Sequence, residues 1–106
     1  MSPKAFLRSA KRIVVKIGTR IVTARGAGLN LEFLDNLARQ VARLQERDCK
    51  VVIVTSGAVH LGRRALGQKK RAEDISLRQA AAAVGQPELM RNYAQAFSAH
   101  GVLTAQ

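Results

Sequence analysis

The sequence predicts an α/β fold in which a parallel sheet is flanked by helices. Two short β-branched runs, at 13–17 and 51–54, each stop at a glycine-containing string, and a segment with helical periodicity separates them. Nearly continuous apolar strands are typical of parallel sheets, and parallel strands need a long crossover connection. A third apolar run at 102–104 predicts a third strand, truncated where the sequence ends. We therefore expect an incomplete sheet of three strands with helices on both faces.

The first half of the sequence predicts a strand, a loop, a helix and a second strand. The first strand, 13–17, contains one charged residue, Lys16, and a glycine-containing loop follows it to Leu29. Asn30 is a good N-cap residue. From there to about Arg47 apolar residues recur at helical spacing, which predicts an amphipathic helix leading to the second strand, 51–54.

The segment after the second strand predicts a short helix and a loop. Residues 58–66 have helical character, and Gly67 is suited to the position after a helix end. Residues 68–74 are charged and predict a loop.

Two further helices are predicted before the last strand. Ser76 would cap an alanine-rich helix over 77–84. Gly85 would interrupt that helix and Pro87 would begin another, because proline suits a first helical turn. Gly101 would end the second helix.

Composition indicates a folded domain with a strong positive charge. The chain has 106 residues, 47% of them hydrophobic, and a formal net charge of +11. Such a field attracts nucleotides, acidic metabolites, nucleic acids or anionic membrane surfaces. The lone cysteine, Cys49, excludes an internal disulfide and is expected to be a small buried or edge residue. No apolar run has the length of about 20 residues that a membrane helix needs, and residues 1–12 are expected to be a short basic leader.

The first candidate site follows the first strand. A lysine within a buried strand is costly unless its ammonium reaches an anion or leaves the core, and this strand contains Lys16. Gly18 would let a ligand approach the backbone closely, and Thr19 adds a hydroxyl donor. Together the three residues could hold phosphate oxygens. The alternative is a lysine that extends to solvent, followed by a turn glycine.

The second candidate site joins the second strand to the next helix. Successive N–H groups at a helix start can bind phosphate or carboxylate, and Ser56, Gly57 and Ala58 lie at that position. The alternative is an ordinary serine or threonine cap with a turn glycine.

Several other site classes are disfavoured by the sequence. It contains no P-loop string, no dinucleotide-binding glycine pattern and no Cys/His metal spacing. The basic residues between Arg63 and Arg71 are interpreted as a solvated loop. The aromatic residues fall on expected core stripes or in the leader rather than among these basic residues, which disfavours nucleic acid as a partner.

Taken together, these strings resemble the glutamate 5-kinase family of the amino-acid kinase superfamily. The resemblance rests on the strings at 14–19, 52–59 and 79–86, with Gly62-Arg63 and Leu66-Gly67 between them, and it runs from about residue 12 to 106. It implies that residues 13–106 form the N-terminal part of an amino-acid kinase domain. It also implies a cytoplasmic enzyme that uses ATP and Mg²⁺ to phosphorylate the γ-carboxylate of L-glutamate, the first step of proline synthesis.

The same resemblance implies roles for the candidate residues. Lys16 would contact the ATP phosphates and stabilise the transferring group, next to a phosphate loop at Gly18 and Thr19. Ser56 would bind glutamate, with Gly57 and Ala58 offering backbone donors. The full enzyme would be a homo-oligomer, with proline as a feedback inhibitor.

Two departures from the family pattern bear on these expectations. Arg20 stands where many members have serine. The family's metal ligands, adenine-binding segment, remaining glutamate ligands and appended RNA-binding-type domain are not in these residues, so we expect this chain to be inactive alone. The alternatives are a small basic module that binds anions or nucleic acid, and a non-catalytic subunit that pairs with intact kinase subunits.

Overall fold

A computed structural model describes residues 1–24, 28–68 and 74–106. The elements in chain order are α1 (Pro3–Ser9), β1 (Arg12–Ile17), α2 (Thr19–Val22), α3 (Leu31–Glu46), β2 (Lys50–Thr55), α4 (Ala58–Ala65) and α5 (Ile75–Ser98). The first two predicted strands and the long helix between them are confirmed. The expected leader contains a short exposed helix, α1, capped by Ser2, and β1 begins at the last leader residue.

β1 and β2 form a parallel pair, with Arg12 opposite Lys50 and Ile17 opposite Thr55. Burial alternates along both strands: one side packs on the core, while Val14, Val52 and Val54 are at least half exposed on the other. In the described part of the chain, the helices therefore cover one face of the sheet, not both. This follows from the position of α5, which contacts α3 instead of lying on the opposite side.

The expected loop over 19–29 is partly helical. Residues Thr19–Val22 form α2, and Val22 is completely buried. Thr23 then pairs with Leu29 in an isolated antiparallel bridge. The prediction missed α2 because a single apolar residue, Val22, holds this turn against the core, and one residue shows no periodicity.

The long helix α3 matches its prediction closely. The Asn30 side chain caps it by accepting a hydrogen bond from the Phe33 N–H at 3.0 Å. Its buried residues are Leu34, Ala38 and Val41. Cys49 is buried at the turn before β2, as expected.

Helix α4 also ends as predicted, because Gly67 adopts the left-handed conformation just beyond it, with φ of 69°. The expected charged loop lies largely outside the described residues, as do Lys69, Lys70 and Arg71. Of the basic residues in this region that the structure describes, Arg63 is half-buried and Arg64 is exposed.

The two helices predicted between 77 and 100 are one helix, α5, and it is capped by Asp74 instead of Ser76. The Asp74 carboxylate accepts a hydrogen bond from the Ser76 N–H at 2.7 Å. The helix continues through Gly85 and Pro87. A proline within a helix costs about 3 kcal/mol and a glycine about 1 kcal/mol. Burial of one stripe of the helix offsets these costs. The buried residues recur every four positions: Ala81, Gly85, Leu89, Tyr93 and Phe97.

Gly85 serves packing rather than helix termination. A Cβ atom at this position would lie 1.8 Å from the Ala58 carbonyl oxygen, and one at Gly62 would lie 1.6 Å from the Ala81 carbonyl oxygen. The backbones of α4 and α5 therefore touch where they cross, which only glycine permits.

The predicted third strand is absent from the part of the chain that the structure describes. Gly101 ends α5 with φ of 74°, as expected, and the Val102 N–H donates to the Phe97 carbonyl at 3.0 Å. The Gly101 N–H donates to the Ser98 carbonyl, also at 3.0 Å. The two bonds form a Schellman-type helix end, in which Val102 is buried. Residues 103–106 then lie beside a cavity of about 320 Å³ next to β2, without ladder hydrogen bonds.

Candidate functional site

The two predicted site loops lie side by side at one edge of the sheet. β1 and β2 end together at the Ile17–Thr55 pair. The ladder continues one step further, because the Ser56 N–H donates to the Ile17 carbonyl at 2.9 Å. Ligands of open α/β sheets bind at the carboxyl ends of the strands, which is where these loops are.

The first loop is open. Lys16 is exposed on the sheet face that the helices leave free. Gly18 has an ordinary φ of −81°, and its carbonyl accepts hydrogen bonds from the Ile21 and Val22 N–H groups to begin α2. A Cβ atom at Gly18 would have nothing within 4 Å. The exposed Thr19 follows, so this loop offers a cation, a hydroxyl and accessible backbone.

The second loop is tightly built. Gly57 is buried and left-handed, with φ of 119°. A Cβ atom there would lie 3.2 Å from the Val22 side chain and 3.5 Å from that of Leu89. Because Val22 belongs to α2, the element after the first loop, this contact joins the two loops physically.

Helix α4 begins directly after Gly57, and no side chain caps its first N–H groups. Ser56 is half-buried beside this helix start. A helix start of this kind favours negative charge through its backbone donors and dipole. The structure therefore brings all six predicted site residues to one end of the sheet: Lys16, Gly18, Thr19, Ser56, Gly57 and Ala58.

A chain of two hydrogen bonds supports the second loop from beneath, and the sequence analysis missed it. The buried Tyr93 hydroxyl donates to Thr55 Oγ1 at 2.7 Å, and Thr55 Oγ1 donates to the Ser56 carbonyl at 2.9 Å. Burial raises the pKa of Tyr93, and the hydrogen bond to Thr55 offsets part of that rise. Local sequence carries no signal for this pairing, because the two hydroxyl-bearing residues are 38 positions apart.

One histidine contact was also missed. The His100 ring lies just after α5 and its Nε2 is 2.7 Å from Asp35 Oδ1 on α3. The residues are 65 positions apart in the chain. The contact links the end of α5 to α3.

The residues of the first loop fit a nucleotide phosphate better than they fit a metal ion. Lys16 supplies a positive charge, and the open space at Gly18 gives oxygen atoms access to the backbone. Within residues 1–24, 28–68 and 74–106, no three His, Cys, Asp or Glu side chains gather as metal ligands would. No helix in these ranges combines the length and apolar character needed to cross a membrane.

Comparison with known proteins identifies the family of the chain. The profile described as "Amino acid kinase family" matches residues 11–106, which is most of the sequence. The chain belongs to the amino acid kinase family.

Curated relatives carry a narrower name within that family. The chain is 50% identical over 103 residues to the glutamate 5-kinase of Citrifermentans bemidjiense, covering 97% of this chain and 28% of the relative. It is 47% identical over 100 residues to the glutamate 5-kinase of an Azoarcus species, covering 94% and 27%. A Thermus thermophilus glutamate 5-kinase is 49% identical over 98 residues, covering 92% and 26%. The chain thus spans little more than a quarter of the length of these relatives.

Proposed function

We propose that this chain carries part of the active site of a glutamate 5-kinase. The reaction would transfer the γ-phosphoryl group of ATP to the γ-carboxylate of L-glutamate, giving glutamyl 5-phosphate for proline synthesis. The observation that supports it is the junction of the two loops at one sheet edge, where Ser56 bonds to Ile17 and Gly57 abuts Val22. The names of the relatives supply the substrate.

The proposed roles follow from the charge that phosphoryl transfer must control. Lys16 would neutralise charge on the ATP phosphates as it builds in the transition state, with Gly18 and Thr19 forming the adjacent phosphate loop. Ser56 would bind the substrate glutamate. The backbone N–H groups of Gly57 and Ala58 would favour its negative charge at the start of α4. Bound ATP would supply the phosphoryl group. Mg²⁺ would neutralise charge on the ATP phosphates, held by ligands elsewhere in the enzyme.

The test is glutamate-dependent ADP release by the native gene product, after its intact mass has been measured. Replacing Lys16 by Ala should lower kcat by about 10²- to 10³-fold, as for other groups that stabilise developing charge. Lys50 is a matched control, because it is an exposed lysine at the opposite end of the sheet. Lys50→Ala should leave kcat within about twofold, since it removes no group near the site. Full activity in Lys16→Ala would refute the assignment.

The chain of 106 residues on its own should show no glutamate-dependent ADP release above its Lys16→Ala variant. Phosphoryl transfer needs both substrates held and their charge neutralised, and these loops provide part of that arrangement. Turnover well above that variant would contradict the proposal of a partial site. Cytoplasmic location, homo-oligomeric assembly and inhibition by proline complete the proposal and are testable on the same native protein.

A further inference from the structure

The hydroxyl groups of Tyr93 and Thr55 act on the peptide between Ser56 and Gly57. Tyr93 is 5% exposed, and its hydroxyl donates to Thr55 Oγ1 at 2.7 Å. Thr55 then uses its single hydroxyl proton to donate to the Ser56 carbonyl at 2.9 Å. Both bonds run in one direction, so each polarises the next and strengthens it.

Fixing this carbonyl also fixes the next amide group. A trans peptide is planar, so its N–H points opposite to its C=O. Because the Ser56 carbonyl accepts from Thr55, the Gly57 N–H is directed away from that hydroxyl. Gly57 has φ of 119°, and a glycine can occupy several backbone regions at little cost. Rotation of this peptide would therefore meet little local resistance without the two hydrogen bonds.

We propose that Tyr93 is a positioning residue for substrate glutamate, acting through Thr55 on the Ser56–Gly57 peptide. The inference rests on the proposed function, in which Ser56 and the Gly57 N–H bind glutamate. Tyr93 lies on α5 behind the loop and does not itself touch the substrate. Its hydroxyl keeps the Gly57 N–H oriented before glutamate arrives, so that binding costs no rearrangement of the peptide.

The experiment compares four variants of the native gene product. Tyr93→Phe removes one hydroxyl and preserves the ring, whose centroid lies 5.9 Å from that of Phe97. Thr55→Val removes the connecting hydroxyl, and Thr55→Ser keeps it. Asn92→Ala is the matched control: it removes another side-chain hydrogen bond of α5, from Asn92 Nδ2 to the Glu88 carbonyl at 2.8 Å.

Positioning predicts separate effects on the two substrates. Tyr93→Phe and Thr55→Val should raise the KM for glutamate by about three- to tenfold, the range for one lost hydrogen bond. The KM for ATP should stay within about twofold, since Lys16, Gly18 and Thr19 are untouched. Thr55→Ser and Asn92→Ala should resemble the unaltered protein. An unchanged glutamate KM in Tyr93→Phe, or an equal rise for both substrates, would overturn the inference.

Amide hydrogen exchange of the chain itself separates failure of this inference from failure of the proposed function. Tyr93→Phe should speed exchange at Ser56 and Leu61 by about three- to tenfold, because their N–H groups hold the loop by donating to the Ile17 and Gly57 carbonyls, whereas Asn92→Ala should not. If the native protein lacks glutamate kinase activity but the two variants differ in exchange as expected, the proposed function fails. The inference that the two hydroxyl groups hold the loop in place is then retained. Unchanged exchange at Ser56 and Leu61 in Tyr93→Phe would show that the two hydroxyl groups do not hold the loop.

Discussion

The two site loops contain glycine for different reasons. Gly18 in the first loop has φ of −81° and open space where a Cβ would be, so the fold itself would accept another residue there. Gly57 in the second loop has φ of 119° and close neighbours on two sides, so the fold needs glycine. The comparison indicates that the glycine at position 18 serves a ligand that approaches from outside the fold. Gly57 is explained by the packing beneath it.

The elements behind the loops differ in the same way. The first loop leads into α2, a single turn of four residues held by Val22. The second leads into α4, whose backbone touches that of α5 at Gly62 and Gly85. The second loop is thus attached to a pair of helices whose backbones touch, and the first remains accessible. Changes behind the second loop should therefore affect stability most.

Gly85→Ala should have the largest effect. Its Cβ would lie 1.8 Å from the Ala58 carbonyl oxygen and 2.6 Å from the Gly62 nitrogen, so α4 and α5 must separate. We expect a loss of about 3 kcal/mol in the free energy of unfolding, at the upper end of the usual range for overpacking. Urea unfolding followed by circular dichroism measures it. A loss below about 0.5 kcal/mol would show that the helices do not cross this closely.

Gly57→Ala should have the next largest effect. An L-residue is strained at φ of 119°, and the added methyl group would press on Val22 at 3.2 Å. We expect a loss of about 1–3 kcal/mol, the range for a residue held in a disfavoured backbone region. The same urea titration compares it with the unaltered chain. If the two proteins were equally stable, the conclusion that the second loop requires glycine and the first does not would be wrong.

Gly18→Ala is the counterpart that sharpens the comparison. Its φ suits alanine and the added methyl group meets no atom within 4 Å. The free energy of unfolding should stay the same or rise by up to about 1 kcal/mol, because alanine restricts the unfolded chain. In the native gene product, however, the KM for ATP should rise, since the methyl group occupies the space proposed for phosphate. Loss of stability without a change in that KM would reverse the assignment.

The smallest effect concerns pH and the hydroxyl beneath the second loop. The pKa of Tyr93 is raised by burial, so the folded state keeps the phenol proton more tightly than the unfolded chain does. The unfolded pKa is about 10. The stabilising contribution is therefore complete below about pH 10 and is lost as the pH rises through the raised pKa. Unfolding titrations from about pH 8 to 11 should show this decline in the unaltered chain, relative to Tyr93→Phe. If the free energy of unfolding depended on pH in the same way in both proteins, this prediction would be contradicted.

The strands, α3 and the placement of both candidate loops could be predicted because their signals are local. Val14 and Val15 and the run 51–54 have strand character on their own, and Asn30 caps α3 with its own side chain. Both candidate strings directly follow a predicted strand, which is where ligands of open α/β sheets bind. Contact between these loops follows from β1 and β2 being neighbours, as the register confirms.

The continuous helix α5 could have been predicted, but a stronger local rule obscured it. Small or apolar residues recur every four positions from Ala81 to Phe97, directly through Gly85. The sequence analysis treated Gly85 and Pro87 as helix breakers and therefore did not use the apolar stripe that runs through them. The energy that keeps the helix intact comes from its contact with α4, which local propensity does not include.

Local sequence was sufficient for the α/β order, the first two strands, the capped helix α3 and the position of the six candidate residues after those strands, because each depends on neighbours within one turn or one strand. Long-range packing was needed to establish that the described helices cover one face, that Val102 ends a helix instead of entering a strand, and that Gly57 requires glycine where Gly18 does not. It also brought Tyr93 beneath Thr55. These features depend on atoms that are far apart in the chain, and only folding brings them within reach of one another.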